Sequence, residues 1–215
     1  MTSPISSVIS ASFLGCLPET VQDRLCHLAI PTELPAGQVL FDPDLTIVVD
    51  GRLRAFLADG SARQLTVSYM QTPSALGIAR VAGRDFPVGF QAVTDSHLLR
   101  LDRRQLDDLG GVHPDLGWAV ARQIAHYLDD VLAETARVAF RPVRARVAYH
   151  LLQLSSGQTS AAIHQADLAA AVGSVREVVA RALGELRDNG LVSLGPSGVA
   201  VIDPTRLQRV ATGRP

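Results

Sequence analysis

The pattern of apolar and polar positions changes character twice along the chain. From residue 5 to 29, Phe13, Leu17, Val21, Leu25 and Leu28 recur at steps of three or four, which predicts one or two short helices. From Thr32 to Leu101 the texture becomes short apolar or alternating runs broken by Gly, Pro and Asp. These runs are Gln38–Phe41, Ile47–Val49, Leu53–Leu57, Leu65–Tyr69 and His97–Leu101, with turn signals at Asp50-Gly51, Asp59-Gly60 and Thr72-Pro73. Strands of this length at such spacing predict an antiparallel barrel or jelly roll.

After Arg103 the period is helical. A short helix over Gln105–Leu109 is expected to stop at Gly110-Gly111, and a long one to start near Pro114, a residue favoured in a first turn. Within the long helix Ala121, Ile124, Leu128, Val131, Thr135 and Val138 alternate steps of three and four, the seam of a two-stranded coiled coil. Trp118, Ala125 and Leu132 form a second stripe beside it. Two apolar faces predict one turned to the chain's own barrel and one to a second copy, with a single wide core-facing stripe as the alternative. Phe140-Arg141-Pro142 breaks the helix, because proline disfavours helical geometry in the residue before it and has no amide to donate. Val143, Val147, Leu151 and Leu154 then mark a new helix ending at Ser156-Gly157.

The stretch from His164 to Leu194 carries the most specific pattern. A helix over Gln165–Val172, with Leu168, Ala169 and Val172 inward, meets Gly173, which supplies the positive φ that a tight turn between crossing helices requires. A second helix runs from about Val175 to Asn189, with Val178, Val179, Ala182, Leu183 and Leu186 on its inner face and Ser174 as its expected side-chain cap. Its outer face shows Arg176, Glu177 and Arg181. Gly190 closes it, and Leu191–Leu194, a Gly195-Pro196-Ser197-Gly198 turn and Val199–Ile202 spell a two-stranded hairpin. Helix, turn, helix and hairpin make a winged helix. In the major groove Arg can donate twice to a guanine edge and Glu can accept from a cytosine amine, whereas an Arg/Glu pair on an exposed helix is by itself common.

Composition sharpens this picture in three places. The chain of 215 residues is 47% hydrophobic and 19% charged, enough for two globular domains. Its net charge of −1 is unevenly spread: from residue 141 onward nine Arg face five acids, a net of +4, which leaves −5 on the first 140 residues. A basic C-terminal part is suited to a polyanion. All 20 basic residues are Arg, so that choice is a bias of the whole chain and marks no site. Two cysteines, Cys16 and Cys26, are too few for a disulfide scaffold or a four-cysteine cluster. The N-terminus shows no basic stretch followed by a long apolar run and no apolar segment is long enough to span a bilayer, so a cytoplasmic, membrane-free protein is expected. No G-x-S-x-G, glycine-rich phosphate loop or H-E-x-x-H spacing nominates an enzyme.

The residues Gly173-Ser174-Val175-Arg176-Glu177-Val178-Val179-Ala180-Arg181-Ala182-Leu183 resemble the recognition-helix signature of the CRP/FNR family of bacterial transcription regulators, and Pro142–Ala148 with Leu151-Leu152 is similar to that family's first helix after the hinge. The resemblance covers almost the whole chain. It implies an α+β fold: an N-terminal antiparallel β jelly roll of cyclic-nucleotide-binding type in residues 1–113, a dimerisation helix and hinge in 114–140, and a C-terminal winged helix-turn-helix in 141–215. It further implies a homodimer that reads an inverted-repeat operator on double-stranded DNA and meets RNA polymerase. Arg176, Glu177 and Arg181, with Ser174 and Val175, fall on the base-reading end, and Arg144 and Arg146 are expected to clamp phosphates. The alternative is a ligand-binding sensor or adaptor whose winged helix contacts protein.

The nucleotide-binding signature is degenerate. The family pairs a Gly-Glu-Leu segment with a later Arg-Ser/Thr-Ala, so that Glu holds the ribose and Arg the cyclic phosphate. Here the slots read Leu76-Gly77-Ile78 and Phe86-Pro87-Val88, and the adenine-facing helix positions fall at Val131 and Leu132. Arg84 lies about two residues out of register. A phosphate buried without a cationic partner costs several kcal/mol, so cyclic AMP in the usual mode is not expected. The remaining pocket is read as Leu76, Gly77, Ile78, Phe86, Val88, Phe90, Val131 and Leu132, open to an apolar effector, a small gas-binding cofactor or none. Cys16 and Cys26 cannot form the cysteine cluster of the family's iron–sulfur sensors. His97 and His126 could be offered to a haem, although a lone histidine is more often hydrogen-bonded structure than a ligand.

Overall fold

The computed structural model describes residues 4–59, 63–84, 86–155, 160–161, 165–196 and 198–213. The Asp59-Gly60 and Ser156-Gly157 turns, His164 and Ser197 therefore lie wholly or partly outside the described residues. The chain divides into two compact units, Met1–Leu57 with Val67–Val131 and Ala58–Thr66 with Leu132–Pro215.

The N-terminal unit begins with helix α1 (Pro4–Ala11), a 3₁₀ turn (Phe13–Cys16) and helix α2 (Glu19–Leu28). Strands β1 (Ile30–Leu34), β2 (Val39–Phe41), β3 (Leu45–Asp50), β4 (Arg52–Ala58), β5 (Gln64–Gln71), β6 (Ala75–Leu76), β7 (Val88–Ala92) and β8 (Ser96–Leu101) follow, with the short helix α3 (Ile78–Val81) between β6 and β7. They form two four-stranded sheets, ordered β1-β8-β3-β6 and β2-β7-β4-β5. The pairings β1 with β8, β3 with β8, β3 with β6, β2 with β7 and β4 with β7 are antiparallel. The jelly roll read from the alternating runs is thus present.

Three strands escape a reading by periodicity. Pro31 in β1 has no amide to donate, which a strand tolerates at the edge of a sheet, where β1 sits. Gly89 breaks the apolar run of β7, yet any Cβ there would collide with the Phe56 ring, so close packing selects the glycine. β6 is only two residues long. Helix α4 (Arg103–Val112) also runs through Gly110-Gly111, where the sequence predicts an end. Leu106 and Leu109 are buried in the core beside it, and this packing outweighs the roughly 1 kcal/mol that each glycine costs inside a helix.

Helix α5 (Asp115–Phe140) spans 26 residues. Leu116, Ala119 and Val120 are buried in the core formed with α1, α2 and β3, and Tyr127 packs against it. These residues, and not Trp118, Ala125 and Leu132, make the inward face of α5. All three residues of the second stripe are exposed, which corrects the expected division of faces. The seam residues Ala121, Ile124, Leu128, Val131, Thr135 and Val138 are exposed as well.

The C-terminal unit continues with helix α6 (Val143–Ser155), strand β9 (Ser160–Ala161), helices α7 (Gln165–Val172) and α8 (Arg176–Asp188), strands β10 (Val192–Gly195) and β11 (Gly198–Val201) and helix α9 (Pro204–Thr212). β10 pairs antiparallel with β11, and β9 adds a third strand on the other side of β11. The core joins Val147 and Leu151 of α6, Leu168 and Val172 of α7, Val179, Leu183 and Leu186 of α8, Val199 and Val201 of the hairpin and Leu207 of α9. A largely buried ion pair holds the α5–α6 break: Arg137 Nε donates to Glu134 Oε2 at 2.8 Å, and the guanidinium lies 3.8 Å over the Tyr149 ring of α6. Replacing Leu183 by Ala removes a side chain with no exposed surface from this core. The expected cost is about 2 to 5 kcal/mol, read as a lower denaturation midpoint with an unchanged slope.

Candidate nucleic-acid interface and ligand chamber

The turn between α7 and α8 rests on Gly173, whose φ of +65° is left-handed. The Ser174 amide donates to the Ala169 carbonyl at 3.0 Å and closes the turn. The N-cap of α8 is Val175, one residue later than expected, and no side chain caps it. Ser174 therefore does not cap the helix through its hydroxyl. The Val178 amide donates to the Val175 carbonyl at 3.2 Å, while the amides of Arg176 and Glu177 precede the first acceptor that a helix supplies.

Val179, Ala182, Leu183 and Leu186 are buried, which leaves Arg176, Glu177 and Arg181 together on the exposed face, with Val175 beside them at 59% exposure. No hydrogen bond or ion pair engages these three charged side chains among the described residues. Val178, expected inward, is at 36% exposure instead, because a turn of 3.6 residues carries it past the buried row.

The two arginines expected on phosphates differ. Arg144 stays exposed and its Nη1 lies 3.8 Å from Glu185 Oε2, a loose surface pair worth no more than about 1 kcal/mol. Arg146 instead donates from Nη1 to the Val172 carbonyl at 2.9 Å, with its Nε buried. It ties α6 to the C-terminal end of α7, where the last carbonyls of a helix lack partners. Half-buried Arg146 thus already spends one guanidinium bond inside the unit, unlike Arg144.

Within the jelly roll lies a cavity of about 420 Å³. Of the residues expected around it, Leu76, Gly77, Ile78, Phe86, Val88, Phe90 and Val131 line it. Leu132 does not: successive helical residues point about 100° apart, and Leu132 is at 57% exposure. Gly77 has φ +75°, and a Cβ there would collide with the carbonyl oxygens of Pro43 and Asp44, so only glycine brings the chain across this wall. Sequence reasoning missed Ile124 and Leu128, assigned to the seam alone, and Tyr127, whose spacing from Val120 by seven residues marks the inward face. It also set Arg84 aside, although Arg84 lines the cavity together with Arg80.

Tyr127 donates its hydroxyl to the Ala75 carbonyl. Burial, with the Asp130 carboxylate adding to it, pushes its phenol up to about 12. Burial likewise raises the Cys26 thiol, helped by Asp23, while Cys16 is exposed. His97 stands on β8 opposite Glu33, and His126 on α5. Among the described residues no group of three His, Cys, Asp or Glu side chains is placed to hold a metal, and no helix is long and apolar enough to cross a membrane.

Residues 145–210 match the model of the Crp-like helix-turn-helix domain. A cyclic AMP receptor protein from Thermus thermophilus is 28% identical over 211 residues, covering 95% of this chain and 98% of the relative. The chain is similar to regulators of the CRP/FNR family. Solved structures share its fold. A chain described as a regulator of that family from Eubacterium rectale superposes with TM-score 0.81 at 20% identity, over 92% of this chain and 96% of the other. A transcriptional regulator of the CRP/FNR family from Thermus thermophilus does so with TM-score 0.73 at 24% identity, over 86% and 100%. Two further relatives from Thermus thermophilus, the transcriptional regulators LdrP and SdrP, are 29% and 26% identical over 74% and 78% of this chain.

A phenol held neutral in the fold but free to ionise after unfolding stabilises the native state below its unfolded pKa near 10 and loses that contribution as pH rises through about 12. Wild type is therefore expected to lose stability between pH 10 and 12 more steeply than Tyr127→Phe, as followed by chemical denaturation. Near neutrality the same substitution is expected to cost about 1 kcal/mol for the lost bond to Ala75. Equal pH profiles would refute the assignment.

Proposed function

We propose that the protein is a sequence-specific transcription regulator that binds an inverted-repeat operator as a homodimer. Residues 1–113 would be the sensor, 114–140 the pairing helix and hinge, and 141–215 the DNA-binding part. The observation that carries this reading is the exposed trio Arg176, Glu177 and Arg181, unpaired among the described residues, on a helix whose opposite face is buried. In a major groove Arg176 and Arg181 would donate to guanine edges and Glu177 would accept from a cytosine amine, with Ser174 and Val175 at the leading end. Arg144, the first-turn amides of α8 and the hairpin backbone would meet phosphates. Contact with RNA polymerase rests on family resemblance.

Two copies would pair along the exposed stripe of Ala121, Ile124, Leu128, Val131, Thr135 and Val138, which has coiled-coil spacing. Two recognition helices would then stand about 34 Å apart, so the operator half-sites fall one helical turn apart. Leu128→Asp places a charge in the middle of that seam. Sedimentation is expected to show monomers for this variant and dimers for wild type; a dimeric variant would remove the seam from consideration.

Cyclic AMP is not the effector in this reading, because the usual ribose-holding and phosphate-holding slots carry Leu76, Ile78 and Val88. A regulator that binds DNA through α8 makes a direct prediction once a duplex has been selected from a random pool. Arg181→Ala is expected to lose about 1 to 3 kcal/mol on the selected site and to relax preference at one base pair. Equal loss on scrambled duplex would count against base readout, and a pool that enriches no sequence would favour a protein-contacting adaptor.

A further inference from the structure

The chamber in the jelly roll has a chemistry that names its ligand more closely. Its volume of about 420 Å³ lies within the range of about 300 to 1,000 Å³ in which small-molecule sites fall. Its lining is mostly carbon and includes Leu57, Met70, Leu76 and Phe90, with Ile124 and Leu128 from α5. Charged groups border it as well. Arg80 donates to the backbone carbonyl of Asp42 and is thereby engaged. The Asp130 carboxylate accepts from Ser68 Oγ at 3.5 Å. Arg84 is exposed, and no hydrogen bond or ion pair engages its guanidinium among the described residues.

Two physical limits follow. A ligand that scatters hydrogen-bonding groups over its surface, as a nucleotide does, would bury them against carbon, and each unsatisfied group costs on the order of 1 to 3 kcal/mol. A ligand of high negative charge would meet Asp42 and Asp130 along with the arginines, which opposes it. What remains is a molecule with an apolar body and one anionic group at one end. A planar guanidinium takes a carboxylate in a two-pronged bond.

We propose that this chamber binds an apolar monocarboxylate, with the hydrocarbon part against Leu76, Phe90 and Leu128 and the carboxylate on Arg84. The proposal deepens the sensor role given above to residues 1–113. The free energy comes from hydrocarbon leaving water, and Arg84 selects the acid over its neutral counterpart. Arg84 fell outside the signature register, so only the folded chamber reveals it.

Isothermal titration of the full-length protein with dodecanoate, dodecanol and cyclic AMP, each kept below its aggregation threshold, tests the assignment. Dodecanoate is expected to bind at one molecule per chain, and Arg84→Gln, a substitution on an exposed side chain, is expected to weaken it at least tenfold. Dodecanol is expected to bind wild type at least tenfold more weakly than the acid and to be indifferent to Arg84→Gln. Val88→Trp, which narrows the chamber, is expected to reduce both. No binding of dodecanoate, equal binding of acid and alcohol, an Arg84→Gln variant that binds as wild type does, or tighter binding of cyclic AMP would each overturn the proposal. The same preparations are assayed for operator binding. Operator recognition without dodecanoate binding would overturn this proposal and leave the regulator reading standing. Dodecanoate binding without operator recognition would do the reverse.

Discussion

The rotation of α8 about its own axis is the constraint on which the exposed face carrying Arg176, Glu177 and Arg181 depends. Val179, Leu183 and Leu186 have at most 1% of their surface exposed, and burial of such side chains stabilises by about 1.5 to 3 kcal/mol each. Turning the helix over would forfeit all three and push the charges of Arg176, Glu177 and Arg181 into carbon. Both terms have the same sign, so the outward trio is fixed by the inward row. Gly173 sets the other coordinate, since its left-handed backbone turns the chain from α7 into α8, with the Ser174 amide bonded back to the carbonyl of buried Ala169.

Most of this was legible in the sequence because it is local. Period-two runs announced the sheets, a sustained three-and-four pattern announced α5, Phe140-Arg141-Pro142 announced its end, and Gly173 with the apolar row after it announced the helix-turn-helix. What escaped depends on contacts distant along the chain. β1 is a strand because β8 offers it a partner, β7 tolerates Gly89 because Phe56 crosses there, and α9 is held by packing on α6. Arg146 shows the limit most clearly. It shares a charge and a helix with Arg144, and nothing in its neighbours along the chain says that the Val172 carbonyl, 26 residues on, will take its guanidinium.

The chamber divides in the same way. Seven of its expected lining residues line it, all but Phe90 of them in the slots of the family's signature, and Leu132 fails because a one-residue error on a helix is a rotation of about 100°. Loss of the usual charged pair reads in sequence as an empty or abandoned site. In three dimensions it reads as a change of chemistry, since the wall that lost its polar groups still encloses space and still has a guanidinium beside it.

Ile124, Leu128 and Val131 belong to both surfaces at once. They line the chamber and also form the exposed stripe of α5, at 37%, 57% and 44% exposure. A side chain with a cavity on one flank and solvent on the other has rotamers set by whatever fills either space. If a second copy covers the outer flank, as proposed, then a chamber occupant and the partner share these three side chains. Their binding free energies are coupled, and the coupling is reciprocal: an occupant that tightens pairing tenfold is itself bound tenfold more tightly by the pair. Such a factor is about 1.4 kcal/mol, within reach of a few rearranged methyl groups at about 0.8 kcal/mol per buried CH₂. The same stripe runs on through Thr135 and Val138 toward the α5–α6 break, where Glu134, Arg137 and Tyr149 hold the next helix. In the proposed dimer, a change in how α5 pairs would act next to this largely buried ion pair and the ring it stacks on at the start of α6.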